Sequence, residues 1–447
     1  MTAASTPVPG ALTQGPLRPV ILRLALPAVA MMGCHFTFNL IDMVWVGRLL
    51  GPASLAAVST AGFFVWIVLS LAEMMDVGLV AVAARRHGQG RPDDAARAAA
   101  GAVAAGLIAG VLTALLGLAI KRTLFTVMQV PAEVAALGTR YLGTWVLGAP
   151  LVFGFFALEA AFRASGDTRT PSLVLASSVV LNAVLDPLLI TGAGPLPELG
   201  VRGAALASVM VRGLAFVFGL VIALRRGLLA WRMPDWRIVP TVLRVGAPLS
   251  MAGVLLSLIY VWLTRYTSRF GTAALAALGI GHKMEGLGFI AITGFALSAG
   301  ALVGQNLGAG REDRARRAAW LTVSYCLVVT VTTSILFLSA PRALVGLFTN
   351  DPAVIAAGSL YLRIITIAQI GQTFELILEG ALAGAGYTVL PMIVSTGLTG
   401  LRIPLSAWWS GLWGLAGIWW ALSLTAASRG VAMTAFWLKG AWRRSVV

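Results

Sequence analysis

The chain has 447 residues, of which 58% are hydrophobic and only 11% charged, against roughly 25% charged in an average soluble protein. With a mean hydropathy of +0.88, this composition excludes a disordered chain and an ordinary soluble enzyme. A net charge of +16 would point to nucleic acid in a soluble domain, but in a chain this apolar it points to loops that hold membrane spans in orientation.

Residues 1–18 are polar and rich in Pro, Thr and Gly, with no charged stretch ahead of a short apolar core. A cytoplasmic tail is expected there, with the first long span serving as its own insertion signal rather than as a cleaved leader. A bilayer-crossing helix needs about 20 apolar residues. Runs that satisfy this lie at approximately 19–47, 54–84, 95–120, 134–163, 170–192 and 201–224. Barrel strands would alternate polar and apolar over about ten residues, and these runs are continuous. A polar stretch with Arg225, Arg226, Arg232, Asp235 and Arg237 then divides the chain. Six more runs follow at approximately 241–268, 275–305, 316–340, 354–384, 389–410 and 414–438. The predicted fold class is an all-α membrane protein of twelve transmembrane helices in two six-helix lobes. The expected organisation is a tail at 1–18, an N-lobe at 19–226, a cytoplasmic linker at 227–240, and a C-lobe at 241–447 that ends in a short tail.

Placing the N-terminus inside puts 20 Lys and Arg residues in inside segments and seven outside. The seven are Arg48, Lys121, Arg122, Arg202, Arg265, Arg269 and Arg342. That bias predicts both termini in the cytoplasm, in a plasma (inner) membrane. The halves also repeat. Gly88, Gly90, Arg91, Asp93, Ala95 and Arg97 recur at a shift of 220 as Gly308, Gly310, Arg311, Asp313, Ala315 and Arg317. Tyr141-Leu142 recurs as Tyr361-Leu362, and Glu159, Gly166, Thr168 and Pro171 as Glu379, Gly386, Thr388 and Pro391. Two homologous halves of even span number share one orientation, which suits a transporter whose halves rock about a site between them.

Eight of the 17 acids fall inside predicted spans: Asp42, Glu73, Asp76, Glu159, Asp186, Glu285, Glu375 and Glu379. A charge at a helix centre costs about 2.5–3.5 kcal/mol even on the lenient insertion scale, so each needs a partner, a proton, an ion or water. Asn39 and Asp42 share a face of the first span, and Asn182 and Asp186 share a face of the fifth. Pro187 leaves the Ala183 carbonyl without its helical donor. Ser208 on the sixth span adds a hydroxyl. Two carboxylates with amide, hydroxyl and carbonyl oxygens suit a shared proton or a hard cation such as Na⁺, held by Asp42, Asn182 and Asp186. The plainer alternative is that Asn182 and Asp186 are hydrogen-bonding groups near a helix end.

The repeat separates these acids. At the same shift the partners of Asn182 and Asp186 are Arg402 and Ser406, and Trp262 or Leu263 stands against Asp42. The carboxylate cluster is one-sided, so ion coupling is placed in the first half. Glu159 and Glu379 are shared, which favours a scaffold role such as pairing with Arg85 or Arg317. Glu285, near Lys283, and Glu375 are open between cavity lining and internal pairing, and Arg402 is expected to neutralise a second-half acid. A lone His in a span, such as His35 or His282, is more often structurally satisfied than catalytic. Trp408, Trp409, Trp413, Trp419 and Trp420 are expected near the outer interface.

No Walker loop, GxSxG elbow or HExxH occurs. Cys34 and Cys326 lie in apolar runs without metal spacing. Neither ATP hydrolysis nor enzyme chemistry is indicated.

Asn39-Leu40-Ile41-Asp42 through Val46-Gly47, Val303-Gly304-Gln305-Asn306-Leu307-Gly308-Ala309-Gly310, Gly166-Asp167-Thr168 to Pro171, and Asn182-x-x-x-Asp186-Pro187 together resemble the multidrug and toxic compound extrusion (MATE) family over nearly the whole chain. The resemblance implies a V-shaped pair of lobes and drug antiport against H⁺ or Na⁺. In the branch with a first-lobe acidic site the matching positions are Asp42, Asn182 and Asp186, with Ser208 where that branch has Thr. In the other branch the acid of helix 10 matches Gln372 here, and helix 7 carries none, which favours first-lobe coupling. The expected function is export of cationic or amphipathic organic molecules by alternating access. Asp42, Asn182, Asp186 and Ser208 would couple the cation, with Asn39, Glu285, Gln372 and Glu375 toward the cavity. The expected partners are the bilayer and small organic substrates, with no nucleic acid, no cofactor beyond the coupling ion, and a monomeric state. A lipid-linked saccharide flippase and a membrane-embedded enzyme are the alternatives. The first would present a cationic cavity, and the second a catalytic pair that His35, His87 and His282 do not form in sequence.

Overall fold

The structure, a computed structural model, describes residues 12–127, 132–192, 197–230, 234–347 and 351–444. Among them there are helices and no strands, as expected where the bilayer supplies no hydrogen bonds and each segment must satisfy its own backbone. The first six spans are α1 Leu17–Gly51, α2 Ala53–Gly88, α3 Pro92–Val127, α4 Ala132–Ser165, α5 Arg169–Thr191 and α6 Val201–Arg225. The second six are α7 Val239–Ser268, α8 Thr272–Gly308, α9 Glu312–Ser339, α10 Pro352–Gly384, α11 Val389–Trp413 and α12 Leu415–Lys439. A six-residue helix, Pro341–Gly346, precedes α10, and α11 bends at Leu401. Among the described residues eleven segments are long and apolar enough to cross a membrane by length and composition. The twelfth, α12, is of similar length but carries Arg429 and four Trp and Phe side chains in place of aliphatic ones.

The repeat is visible in the backbone. Gly51 and Gly271, Gly90 and Gly310, and Gly166 and Gly386 are pairs at the 220-residue shift, and all six have φ between 70° and 93°. Only glycine adopts that left-handed region without strain, so the same turns sit in both halves. Thr168 donates to the Leu24 carbonyl, and Thr388 donates to the Val245 carbonyl, each at 2.9 Å. The repeated Gly-x-Thr-x-x-Pro segment thus clips the loop before the fifth helix of each half onto that half's first helix.

The halves meet near the end that carries both termini. A Cβ on Gly88 would lie 1.9 Å from the Gln305 carbonyl oxygen, and one on Gly308 would lie 2.0 Å from the Arg85 oxygen. The two contacts are related by the repeat. Gly78 and Gly246 approach Val242 and Met74 in the same way. Gln305 also donates to the Ala164 carbonyl at 2.5 Å. The Gln305–Gly310 motif is therefore a backbone-to-backbone seam between α2 and α8. Leu12 lies against Gly166, while Asn306, Arg311 and Arg314 donate to carbonyls of residues 12–15, so the N-terminal segment straps the same end.

The polar stretch between the halves is tied down. Asp235 faces Arg86 at 3.5 Å, Arg226 pairs with Asp167 at 2.5 Å, and the amides of Ala230 and Asp235 donate to α3 carbonyls. Trp408, Trp409 and Trp413 pack in series at the end of α11, in keeping with an interfacial belt. Trp419 departs from that expectation. It is fully buried and meets Tyr361 edge-on at 4.8 Å, because its helical face points into the second half's core.

Candidate functional site

α1, α5 and α6 bring four of the expected residues together. The Asn182 amide nitrogen donates to Asp42 Oδ1 and to Asp186 Oδ2, the latter at 2.9 Å. The Ser208 hydroxyl donates to Asp42 Oδ2 at 2.7 Å. All four side chains are buried, and the Asn182 amide bridges the two carboxyls. Asn182 Oδ1 and Asp186 Oδ1 are buried without a hydrogen-bond partner. At a rise of 1.5 Å per residue, Asp42, Asn182 and Ser208 lie about 10–14 Å from the ends of their helices remote from the termini.

Two further residues complete the site. Arg212, one turn beyond Ser208 on α6, stacks over Phe38 at 4.7 Å and interacts electrostatically with Asp42. Tyr141 on α4 is buried and lies in the field of Asp42, Asp186 and Arg212. Arg212 was legible as the i+4 neighbour of Ser208. Tyr141 carried only the weak signal of recurring as Tyr361.

The other expected residues scatter. The Asn39 side chain lies outside the described residues. Glu285 accepts from the Tyr361 hydroxyl, not from Lys283, which is exposed. Glu375 is buried in an ion pair with Arg429 at 2.8 Å and accepts from Ser395 at 3.3 Å. Gln372 is half-buried on α10. Arg402 is buried and donates to Thr425 at 2.9 Å, while the ion pair to Glu375 comes from Arg429. Glu159 faces His35 at 3.6 Å, and Asp76 is paired with Arg163.

The first-half cluster holds two acids through neutral donors, with two acceptor oxygens open. In the second half Glu375 is tied to Arg429 and Glu285 to the Tyr361 phenol.

The family model MatE matches residues 27–188 and 248–408. The "Probable multidrug resistance protein NorM" of Thermotoga maritima is 28% identical, over 96% of this chain and 94% of its own length. An "FAD transporter" of Shewanella oneidensis is 26% identical, over 94% of each. A solved MOP superfamily transporter from Pyrococcus furiosus superposes with a TM-score of 0.88 at 22% identity, covering 97% of this chain and 98% of that one. The last likeness establishes the fold.

Proposed function

The chain belongs to the MatE family of efflux transporters, and on that premise we propose that it is an antiporter driven by protons at Asp42 and Asp186. Membership makes it a transporter rather than an enzyme. The observation that carries the coupling is the Asp42–Asn182–Asp186–Ser208 cluster with its two open oxygens. The two unbonded oxygens, on Asn182 and Asp186, suffice for a proton and are fewer than the roughly six that a hard cation takes, and this favours H⁺ over Na⁺.

In this reading the arginine-rich end with both termini faces the cytoplasm of the inner membrane. The lobes, residues 19–226 and 241–447, are closed at that end, and the site takes its proton from outside. A carboxylate at Asp42 accepts from α5 and α6 together. Protonating one of its oxygens turns an acceptor into a donor and frees one of those bonds. α1 then bends relative to α5 and α6, and the lobes part at the cytoplasmic seam. Outward opening releases cargo, and inward return rebinds it. The cargo is cationic or amphipathic, in keeping with Glu73 and Glu285, and the transporter works as a monomer. The relative described as an FAD transporter makes an anionic dinucleotide the second cargo to assay.

Everted vesicles with imposed gradients test this reading. A pH gradient should drive efflux of a lipophilic cation, and Asp42→Asn or Asp186→Asn should each abolish it at unchanged protein abundance. Efflux driven by Na⁺ alone would reassign the ion. Normal export by both variants would remove the site.

A further inference from the structure

The cations outside the terminus-bearing end are few, yet they are not scattered. Lys121 and Arg122 of α3, Arg140 of α4 and Arg202 of α6 line one groove of about 770 Å³. Three of the seven outside cations thus meet a fourth that lies within a span. Among the described residues none of the four makes an ion pair with a carboxylate, not even with Glu133 or Glu198 at the same end. Cations held next to hydrocarbon without a counter-charge are costly, and they select for an anion.

The groove is graded along the membrane normal. Lys121 and Arg140 lie about 9–12 Å from the outer ends of α3 and α4, and Leu118 and Leu147 lie deeper, at about 13–22 Å. Both leucines line the groove, and Leu147 is 58% exposed. Charge near the surface above an apolar floor is the profile of a phospholipid. Nor is the cluster a by-product of the repeat. At the 220-residue shift the four positions are Pro341, Arg342, Leu360 and Leu422, so only one cation recurs.

We propose that this groove is a binding site for the phosphodiester headgroup of an anionic phospholipid in the outer leaflet, with its acyl chains over Leu118 and Leu147. The bound lipid would brace α3, α4 and α6 against one another. α4 and α6 carry Tyr141, Ser208 and Arg212, so the lipid borders the lobe that holds the acidic cluster without touching it.

The test uses the full chain in detergent with a photoreactive phosphatidylglycerol, reading the labelled peptides by mass spectrometry. Labelling should concentrate on residues 115–147. Arg140→Gln with Arg202→Gln should reduce it about 25-fold, at about fivefold per cation. Both arginines are exposed, so the fold should survive, and the Arg140→Lys with Arg202→Lys variant should retain labelling. Excess phosphatidylglycerol should compete, whereas inorganic phosphate at the same concentration should not. Equal labelling by a phosphatidylcholine analogue would overturn the proposal. So would labelling indifferent to the Gln variant, or competition by inorganic phosphate as strong as that by lipid.

Discussion

The two lobes share their turns, and each holds a buried carboxylate–arginine pair, Asp76 with Arg163 and Glu375 with Arg429, but the first also gathers two acids around neutral donors. In the first, Asp42 and Asp186 are linked through the Asn182 amide and the Ser208 hydroxyl, and Arg212 stands by over Phe38. In the second, the places of Asn182 and Asp186 are taken by Arg402 and Ser406, and Glu375 is closed by Arg429. Of these α5 and α11 positions, one sets the Asn182 amide against the Arg402 guanidinium and the other the Asp186 carboxyl against the Ser406 hydroxyl. Duplication supplies the frame, and in the proposed reading the lobe whose two acids are held by neutral donors is the one that takes the proton.

The largest effect should come from erasing this difference. Writing the second-lobe residues into the first, as Asn182→Arg with Asp186→Ser, should lower gradient-driven efflux by roughly two orders of magnitude, the scale of breaking a buried charge network. Efflux that survives the exchange would show that the lobes are not distinguished by these positions. Next, Glu375→Gln should act on stability rather than coupling. It leaves Arg429 buried without its partner, at a cost of about 3–5 kcal/mol, read as a lower melting temperature in detergent. Glu375→Gln with Arg429→Met should recover most of that loss. A third variant probes the seam that joins the lobes. A Cβ at Gly308 would press 2.0 Å from the Arg85 oxygen, so Gly308→Ala should favour the parted arrangement. Pulsed electron resonance between labels at Arg91 and Glu312, without Cys34 and Cys326, should show a longer distance. Efflux should fall by about tenfold, the effect of roughly 1.4 kcal/mol on a two-state equilibrium.

Much of this was legible in the sequence because the bilayer simplifies the code. Continuous apolar runs gave the spans, and a fixed shift gave the repeat down to the paired glycines at 90 and 310. The acids Asp42 and Asp186 stood out since a carboxylate among apolar residues needs a reason. Which helix faces which was not legible. Periodicity places Glu159 on a face of α4 but does not say that His35 lies opposite it rather than a loop arginine. The closing of Glu375 by Arg429 joins residues 54 positions apart on different helices, and no local pattern encodes it. Glu285 was read against Lys283, its sequence neighbour, whereas two residues along a helix point apart and its partner is Tyr361, from α10.

A last comparison of the lobes sets two fully buried serines side by side, Ser208 on α6 and Ser406 on α11. Ser208 donates to Asp42 Oδ2 at 2.7 Å, whereas Ser406 Oγ has no hydrogen-bond partner. A hydrogen bond to a charged group contributes about 1.5–3 kcal/mol, while removing an unsatisfied buried hydroxyl is close to neutral or stabilising. Asp42 keeps its bond from Asn182 when Ser208 is lost, so the low end of that range applies. Ser208→Ala should therefore slow proton-driven efflux by about tenfold, Ser208→Thr should preserve it by keeping the hydroxyl, and Ser406→Ala should change neither efflux nor melting temperature. Equal losses from the two alanine variants would mean that packing, not the acceptor on Asp42, is what the serines supply, and the division of labour between the lobes would have to rest on the carboxylates alone.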